Sequence, residues 1–369
     1  MKKVILNIFP FLLSLALIEG SICIALKVRH IYTTINHPNK KLFIKNGVND
    51  PALFIKELRE LSDSKLHADE YKWYQLEPNY PGKFHRTDRW GYRNDRIDPT
   101  VTSCIGFFGG STAYGITSLQ NDTIPALLEQ KVSQNRKVYN FGIGGYSTQP
   151  ELANFQEILR IKDYRIKTAI FYDGVNEVYR YIEKLQEHAN ERYTIVGYPY
   201  WIRNISYCNF LRKNEVGLFY SSSFFYLFNV YLKKFDKSKN INYILNNQLK
   251  IQQAAKTIVD IYEHNINCIK GISHQYKIQS HFFWQPNMFE VNRKKLSNND
   301  QRLAQSELVI SNLFSETKKE LILRKGLHDV VILTECLNEI DLTDEFFDFV
   351  HVGRKANEAI ADKIFYHIK

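Results

Sequence analysis

The chain has 369 residues, 44% hydrophobic and 24% charged, values that exclude a disordered or fibrous body. Its 49 Lys and Arg against 39 Asp and Glu leave a formal charge of +10, yet the basic residues are scattered in short pairs such as Lys40-Lys41 and Lys233-Lys234. No zinc-finger or RNA-recognition signature accompanies them, so nucleic acid is not an expected partner.

The N-terminus carries the first strong signal. After Lys2 and Lys3, residues 4–26 are nearly all apolar, long enough for the roughly 20 helical residues that a bilayer core requires. Glu19 interrupts the run, and neither Ser14/Ala16 nor Ser21/Cys23 makes a convincing cleavage site. Residues 1–27 are therefore expected to be a retained transmembrane signal anchor rather than a cleaved signal peptide. Lys27, Arg29, Lys40 and Lys41 come directly after it and lean against export by charge count, but the body is expected outside the cytoplasm because short N-terminal anchors commonly carry the rest of their chain across the membrane.

Residues 28–100 read as an extension packing on the main domain, with an aromatic and proline-bearing stretch (YKWYQLEPNYPGKFHRTDRWGYRND) suggesting short strands and turns. From Val101 strand and helix alternate. VTSCIGFF reads as a buried strand, and after a loop Thr123 precedes a helix, IPALLEQKV, with Pro125 in its first turn. KVYNF (137–141) is a second strand, PELANFQEILR (150–160) a helix, and KTAIFYD (167–173) a third strand. Residues 180–248 form an aromatic-rich insertion, in which Tyr198, Tyr200 and Trp201 are candidates for stacking on sugar rings or for packing in a core. Beyond it come a helix around 249–270, a strand at 278–284, a helix around 301–324 and a strand at 329–333. A final helix places Ala356, Ile360 and Ile364 on one face. The alternation predicts a parallel sheet with helices on both faces.

In such a sheet ligands bind beyond the carboxyl ends of the strands. The first strand exits into GGST with Gly110 and Ser111, the second into GIGGYS with Gly145, and the third into GVNE with Gly174 and Asn176. The segment after the last strand leads to DFVH with Asp348 and His351. A serine hydroxyl is a poor nucleophile without an adjacent base, which His351 can be, and Asp348 can orient the imidazole. The tetrahedral oxyanion of acyl transfer needs donors, which the backbone N–H groups of Ser111 and Gly145 and the amide of Asn176 can supply. Gly110 and Gly174 support these loops. Taken alone, each residue is an ordinary turn or cap position; the combination carries the inference.

These four blocks, in this order, resemble those of the SGNH, or GDSL-type, hydrolases over residues 101–369 without the insertion. The resemblance implies a three-layer α/β/α sandwich around a flavodoxin-like parallel sheet. Ser111, Asp348 and His351 would be its catalytic triad, Ser111, Gly145 and Asn176 its oxyanion hole, and no metal or organic cofactor is implied. GGS here replaces the family's GDS, and Glu177 replaces the commoner Asp after Asn176. The GGST form is similar to members among bacterial extracytoplasmic, glycan-associated proteins.

Rival motifs fare worse. GIGGYS approaches a dinucleotide fingerprint, but its third glycine is Ser147, and Asp163 precedes the third strand instead of ending it. GFFGGST lacks the lysine of a phosphate loop. Five cysteines (Cys23, Cys104, Cys208, Cys268 and Cys336) have no zinc spacing; those of the body are buried thiols or, in an oxidising compartment, disulfides of open pairing. The expected function is therefore a membrane-anchored ester hydrolase acting on acylated carbohydrate or another envelope polymer. O-acyl transfer to a glycan with the same triad is the alternative, and a non-catalytic glycan-binding or assembly protein is a second one.

Overall fold

The computed structural model describes residues 36–63, 65–69, 71–95, 97–98, 100–133, 136–188 and 241–369, with single positions between 21 and 33. The expected anchor up to residue 20, and residues 189–240 with Tyr198, Tyr200, Trp201 and Cys208, lie outside the described residues. Among those described, no helix is long and apolar enough to cross a membrane.

Two helices, α1 (Lys40–Lys45) and α2 (Pro51–Asp63), lead into an antiparallel hairpin of β1 (Leu66–Asp69) and β2 (Trp73–Leu76). The main sheet comes next. Its strands are β3 (Cys104–Gly109), β4 (Lys137–Asn140), β5 (Ile166–Asp173), β6 (Gln279–Trp284) and β7 (Val330–Ile332). They pair in the order β4-β3-β5-β6-β7, and every pair is parallel. The expected parallel sheet is thus present, and its order reverses between β3 and β5, where a ligand crevice opens in such a sheet.

Burial on both faces explains the near-continuous apolar runs. Ile105, Phe107, Ile170 and Phe283 point to one core, against Leu127 and Leu128 of α4 (Ile124–Glu129). Phe108, Phe171 and Phe282 point to the other and stack across three strands, with ring centroids 4.9 and 5.5 Å apart. Phe155 of α5 (Thr148–Arg160) covers that second face. So do Tyr262 and Ile266 of a 29-residue helix, Gln248–Tyr276, and Tyr74 and Tyr92 of the segment ahead of the sheet. The last helix, Arg354–Ile368, buries Ala356, Ile360 and Ile364 against the first face, as its spacing predicts. Cys104 and Cys336 are buried free thiols, and Cys268 is free and partly exposed.

The structure differs from the sequence reading in several places. β3 begins at Cys104, not Val101. Residues 180–188 belong to helix α6 (Val175–His188), so 180 is not the edge of an insertion. The helix expected at 301–324 is two, Asn298–Ser306 and Leu308–Leu323, broken where Glu307 adopts φ −110° and ψ 50°. The segment 28–100 holds helix α2 as well as strands and turns.

Candidate active site

Ser111 begins a single turn of helix, α3 (Ser111–Tyr114), immediately beyond β3. At such a position its backbone N–H has no acceptor within the helix. A Cβ on the preceding Gly110 would run into Asn176 Nδ2 and stand 3.1 Å from Tyr146 O. Only glycine lets the strand end close on those two groups.

Asp348 and His351 share a tight loop closed by a backbone bridge between Phe346 and Val352 and by Phe347 N–H donating to His351 O at 2.8 Å. Within it Asp348 Oδ1 accepts the backbone N–H groups of Val350 and His351, both at 2.8 Å. Asp348 Oδ2 lies 2.7 Å from His351 Nδ1, and His351 Nε2 lies 2.7 Å from Ser111 Oγ. A carboxylate can only accept, so the imidazole proton resides on Nδ1 and Nε2 is left to accept from the serine hydroxyl. Burial would raise the Asp348 carboxyl, but His351 beside it and the two backbone donors outweigh burial and hold it below the usual carboxylate range.

The loop after β4 presents Gly145 in the left-handed region, φ +80°. Its carbonyl accepts from Arg180 Nε at 3.0 Å and Nη2 at 2.7 Å, while the Gly144 carbonyl accepts from the Tyr74 hydroxyl. A Cβ on Gly144 would stand 3.9 Å from Ser111 Cβ, so this loop borders the serine. The Gly145 N–H, in the same peptide as the Gly144 carbonyl, has no acceptor among the described residues.

Asn176 is already engaged: its Nδ2 donates to Tyr146 O at 2.5 Å. One amide hydrogen is thereby fixed and the second remains, on a nitrogen that lies against Gly110. Glu177, next in the chain, accepts from Thr148 N–H at 2.7 Å and from Gly174 N–H at 2.8 Å. Its carboxyl thus caps α5 and ties the second-block loop to the third, at a helix end that favours negative charge. Behind it, Glu151 and Asp173 lie against one another, fully buried, and no donor reaches their oxygens among the described residues. Burial, then the neighbouring carboxylates, raises both well above the ordinary range, and burial raises Glu177 despite its backbone donors.

All the singled-out residues, Ser111, Gly110, Gly145, Gly174, Asn176, Asp348 and His351, therefore gather at one edge of the sheet. Asp163 does not. It accepts from Arg89 and Trp90 and lines a cavity of about 510 Å³ that holds none of the residues above. Three partners escaped sequence reasoning. Gln285, first residue beyond β6, accepts from the Thr112 hydroxyl at 2.8 Å; its place at a strand's carboxyl end was a usable signal. Tyr74 and Arg180 act through backbone carbonyls, for which the sequence holds no local sign.

No family model and no curated protein matches the chain. Solved structures similar to it include a lipolytic protein of the G-D-S-L family from Desulfitobacterium hafniense DCB-2, 12% identical, with 72% of this chain and 99% of that chain covered and a TM-score of 0.32. The acetyl xylan esterase AlAXEase is 10% identical, with 72% and 100% covered and a TM-score of 0.34. The acetylxylan esterase Axe2 from Geobacillus stearothermophilus is 13% identical, with 74% and 96% covered and a TM-score of 0.32. Superposition at this level decides nothing about chemistry, which rests on the side chains described above.

Proposed function

We propose that this chain is a serine-dependent carboxylic ester hydrolase of the SGNH type, acting through an acyl-Ser111 intermediate. The observation that carries the reading is the unbroken run of contacts from Ser111 Oγ through His351 to Asp348, each 2.7 Å long. His351 Nε2 takes the proton as Ser111 Oγ attacks the acyl carbonyl, and Asp348 stabilises the imidazolium. The resulting oxyanion is met by the N–H groups of Ser111 and Gly145 and by the second amide hydrogen of Asn176. His351 returns its proton to the leaving alkoxide, then activates water to release the acid.

Acylated carbohydrate, of a cell envelope or a related polymer, is the substrate class we favour. The support is the resemblance of the GGST form to glycan-associated members and the aromatic segment 189–240 beyond α6. The apolar run 4–26 supports anchoring in a membrane, and the delivery habit of short N-terminal anchors is the support for a body on its extracytoplasmic side. Retention of the full chain in carbonate-washed membranes, with protease accessibility from outside the cytoplasm, tests that placement; release into the wash, or protection from external protease, removes it.

A fluorophosphonate probe tests the chemistry, because it reacts with an activated serine and not with an idle one. Wild type should be labelled, and Ser111→Ala and His351→Ala should not. A folded wild-type protein that stays unlabelled overturns the enzyme reading in favour of a glycan-binding protein. Supplying a labelled acetyl ester with and without candidate oligosaccharides, and counting free acetate against acetylated sugar, separates hydrolysis from acyl transfer.

A further inference from the structure

Arg93 belongs to the segment ahead of the sheet, yet it is buried to 1% exposure. Burying a guanidinium is costly unless every donor is met. Here all five N–H groups are used, and none on a carboxylate. Nε donates to Gln120 Oε1 at 3.1 Å, and Nη1 to the carbonyls of Tyr114, at 3.0 Å, and Gly115. Nη2 donates to Phe84 O at 2.9 Å and to Ser118 O at 2.8 Å.

Three of these acceptors lie in the turn that ends the helix of Ser111. A helix of one turn cannot hold itself, and its last carbonyls have no partners of its own. Asn140 Nδ2 meets Ala113 O at 3.0 Å and Tyr114 O at 3.3 Å, and Arg93 meets Tyr114 O and carries the hold on through Gly115 O and Ser118 O. The same turn is gripped from the other direction, where Thr117 Oγ1 donates to Val352 O at 3.1 Å and Asn357 Nδ2 donates to Ser118 Oγ at 2.9 Å. Val352 directly follows His351. The turn 114–118 is therefore clamped between Arg93 and the chain that carries the histidine.

We propose that Arg93 is a positioning residue for the reaction, holding the turn 114–118 so that Ser111 Oγ stays within reach of His351 Nε2. The proposal rests on the reading of Ser111 as nucleophile. Lysine can replace it only in part, having three donors on a point charge in place of a planar fork. Displacement of a reacting atom by about 1 Å can cost about 10²-fold in rate, which sets the size of the expected effect.

The test uses full-length Arg93→Ala, Arg93→Lys and wild type. Exhaustive fluorophosphonate labelling counts competent sites, and turnover of a small acetyl ester is then expressed per labelled site. Arg93→Ala should turn over about 10²-fold more slowly per site with KM little changed, and added guanidinium ion, below denaturing concentration, should restore part of the rate; Arg93→Lys should fall between. Fewer labelled sites with wild-type turnover per site would assign Arg93 to stability alone and overturn the proposal. Should neither variant fold, Thr117→Val releases the clamp from its other side and should slow turnover per site by about tenfold; an unchanged rate there overturns the proposal too. A wild type that takes no label fails at the nucleophile itself, which is distinguishable from a failure at Arg93.

Discussion

His351 Nε2 and Ser111 Oγ stand 2.7 Å apart across 240 positions of sequence. That contact works as a base only if Nε2 is the unprotonated nitrogen, and Asp348 Oδ2 at Nδ1 enforces this. In Asp348→Asn, Oδ1 can still accept from Val350 and His351, so the loop should keep its shape. The new amide would donate to Nδ1 and push the proton to Nε2, the wrong tautomer. Hydrolysis of a small acetyl ester should fall by roughly 10³–10⁴-fold with an unchanged circular dichroism spectrum. Activity within about tenfold of wild type would mean that Asp348 orients nothing.

Gly110 is the tightest point of the site. An alanine methyl there meets Asn176 Nδ2 and lies 3.1 Å from Tyr146 O, so Asn176 must leave its bond to Tyr146 and, with it, its position beside Ser111. Gly110→Ala should lower kcat by about 10²-fold or more. A crystal structure of the variant should find Asn176 displaced. A normal kcat with Asn176 moved would remove that amide from the oxyanion hole.

The four blocks were legible in sequence because each states a local requirement of the proposed chemistry: a nucleophile, a tight glycine turn and an amide, each directly beyond a strand, and an acid and base three residues apart in a later loop. What holds the blocks in register was not. Helix α5 begins at Thr148 instead of Pro150, where the Glu177 carboxyl, from the first turn of α6, caps its first N–H. Tyr74 and Arg180 read in sequence as one more aromatic and one more basic residue; only the fold puts them on adjacent glycine carbonyls. The break at Glu307 likewise has no proline or glycine ahead of it.

The buried acids predict an unusual pH response. Glu151 and Asp173 are raised by burial first and then by neighbouring carboxylates, so the folded chain keeps protons that the unfolded chain releases near its ordinary carboxylate range, at about pH 4. Their contribution is most favourable below that range and is lost as pH rises toward the raised folded values. Glu151→Gln cannot ionise and its amide can donate to Asp173. Its Tm should therefore decline less than that of wild type between about pH 5 and pH 9, and lie ~2–4 °C higher at the alkaline end. Parallel Tm curves for the two proteins would mean that Glu151 does not hold its proton in the folded chain above the ordinary carboxylate range.

Arg180 bears on the proposed oxyanion hole through the carbonyl of Gly145. Two of its N–H groups fork onto the Gly145 carbonyl, Nη1 lies 2.6 Å from Glu183, and the guanidinium stacks 5.7 Å from the Trp73 ring centre. The Gly145 N–H itself lies in the preceding peptide, whose Gly144 carbonyl accepts from Tyr74; release of Gly145 O would free rotation about the Gly145 backbone bonds between the two peptides, and a left-handed glycine at φ +80° offers little steric resistance to it. Arg180→Lys keeps the charge but loses the fork. The loss falls on a donor used in the transition state and not in ground-state binding, so kcat should drop about 10–100-fold while KM hardly moves. The measurement is kcat and KM on a small acetyl ester, with sites counted by fluorophosphonate labelling. A raised KM at constant kcat would place Arg180 in substrate binding instead, and an unchanged pair of constants would leave the Gly145 N–H held through Gly144 O by Tyr74 alone.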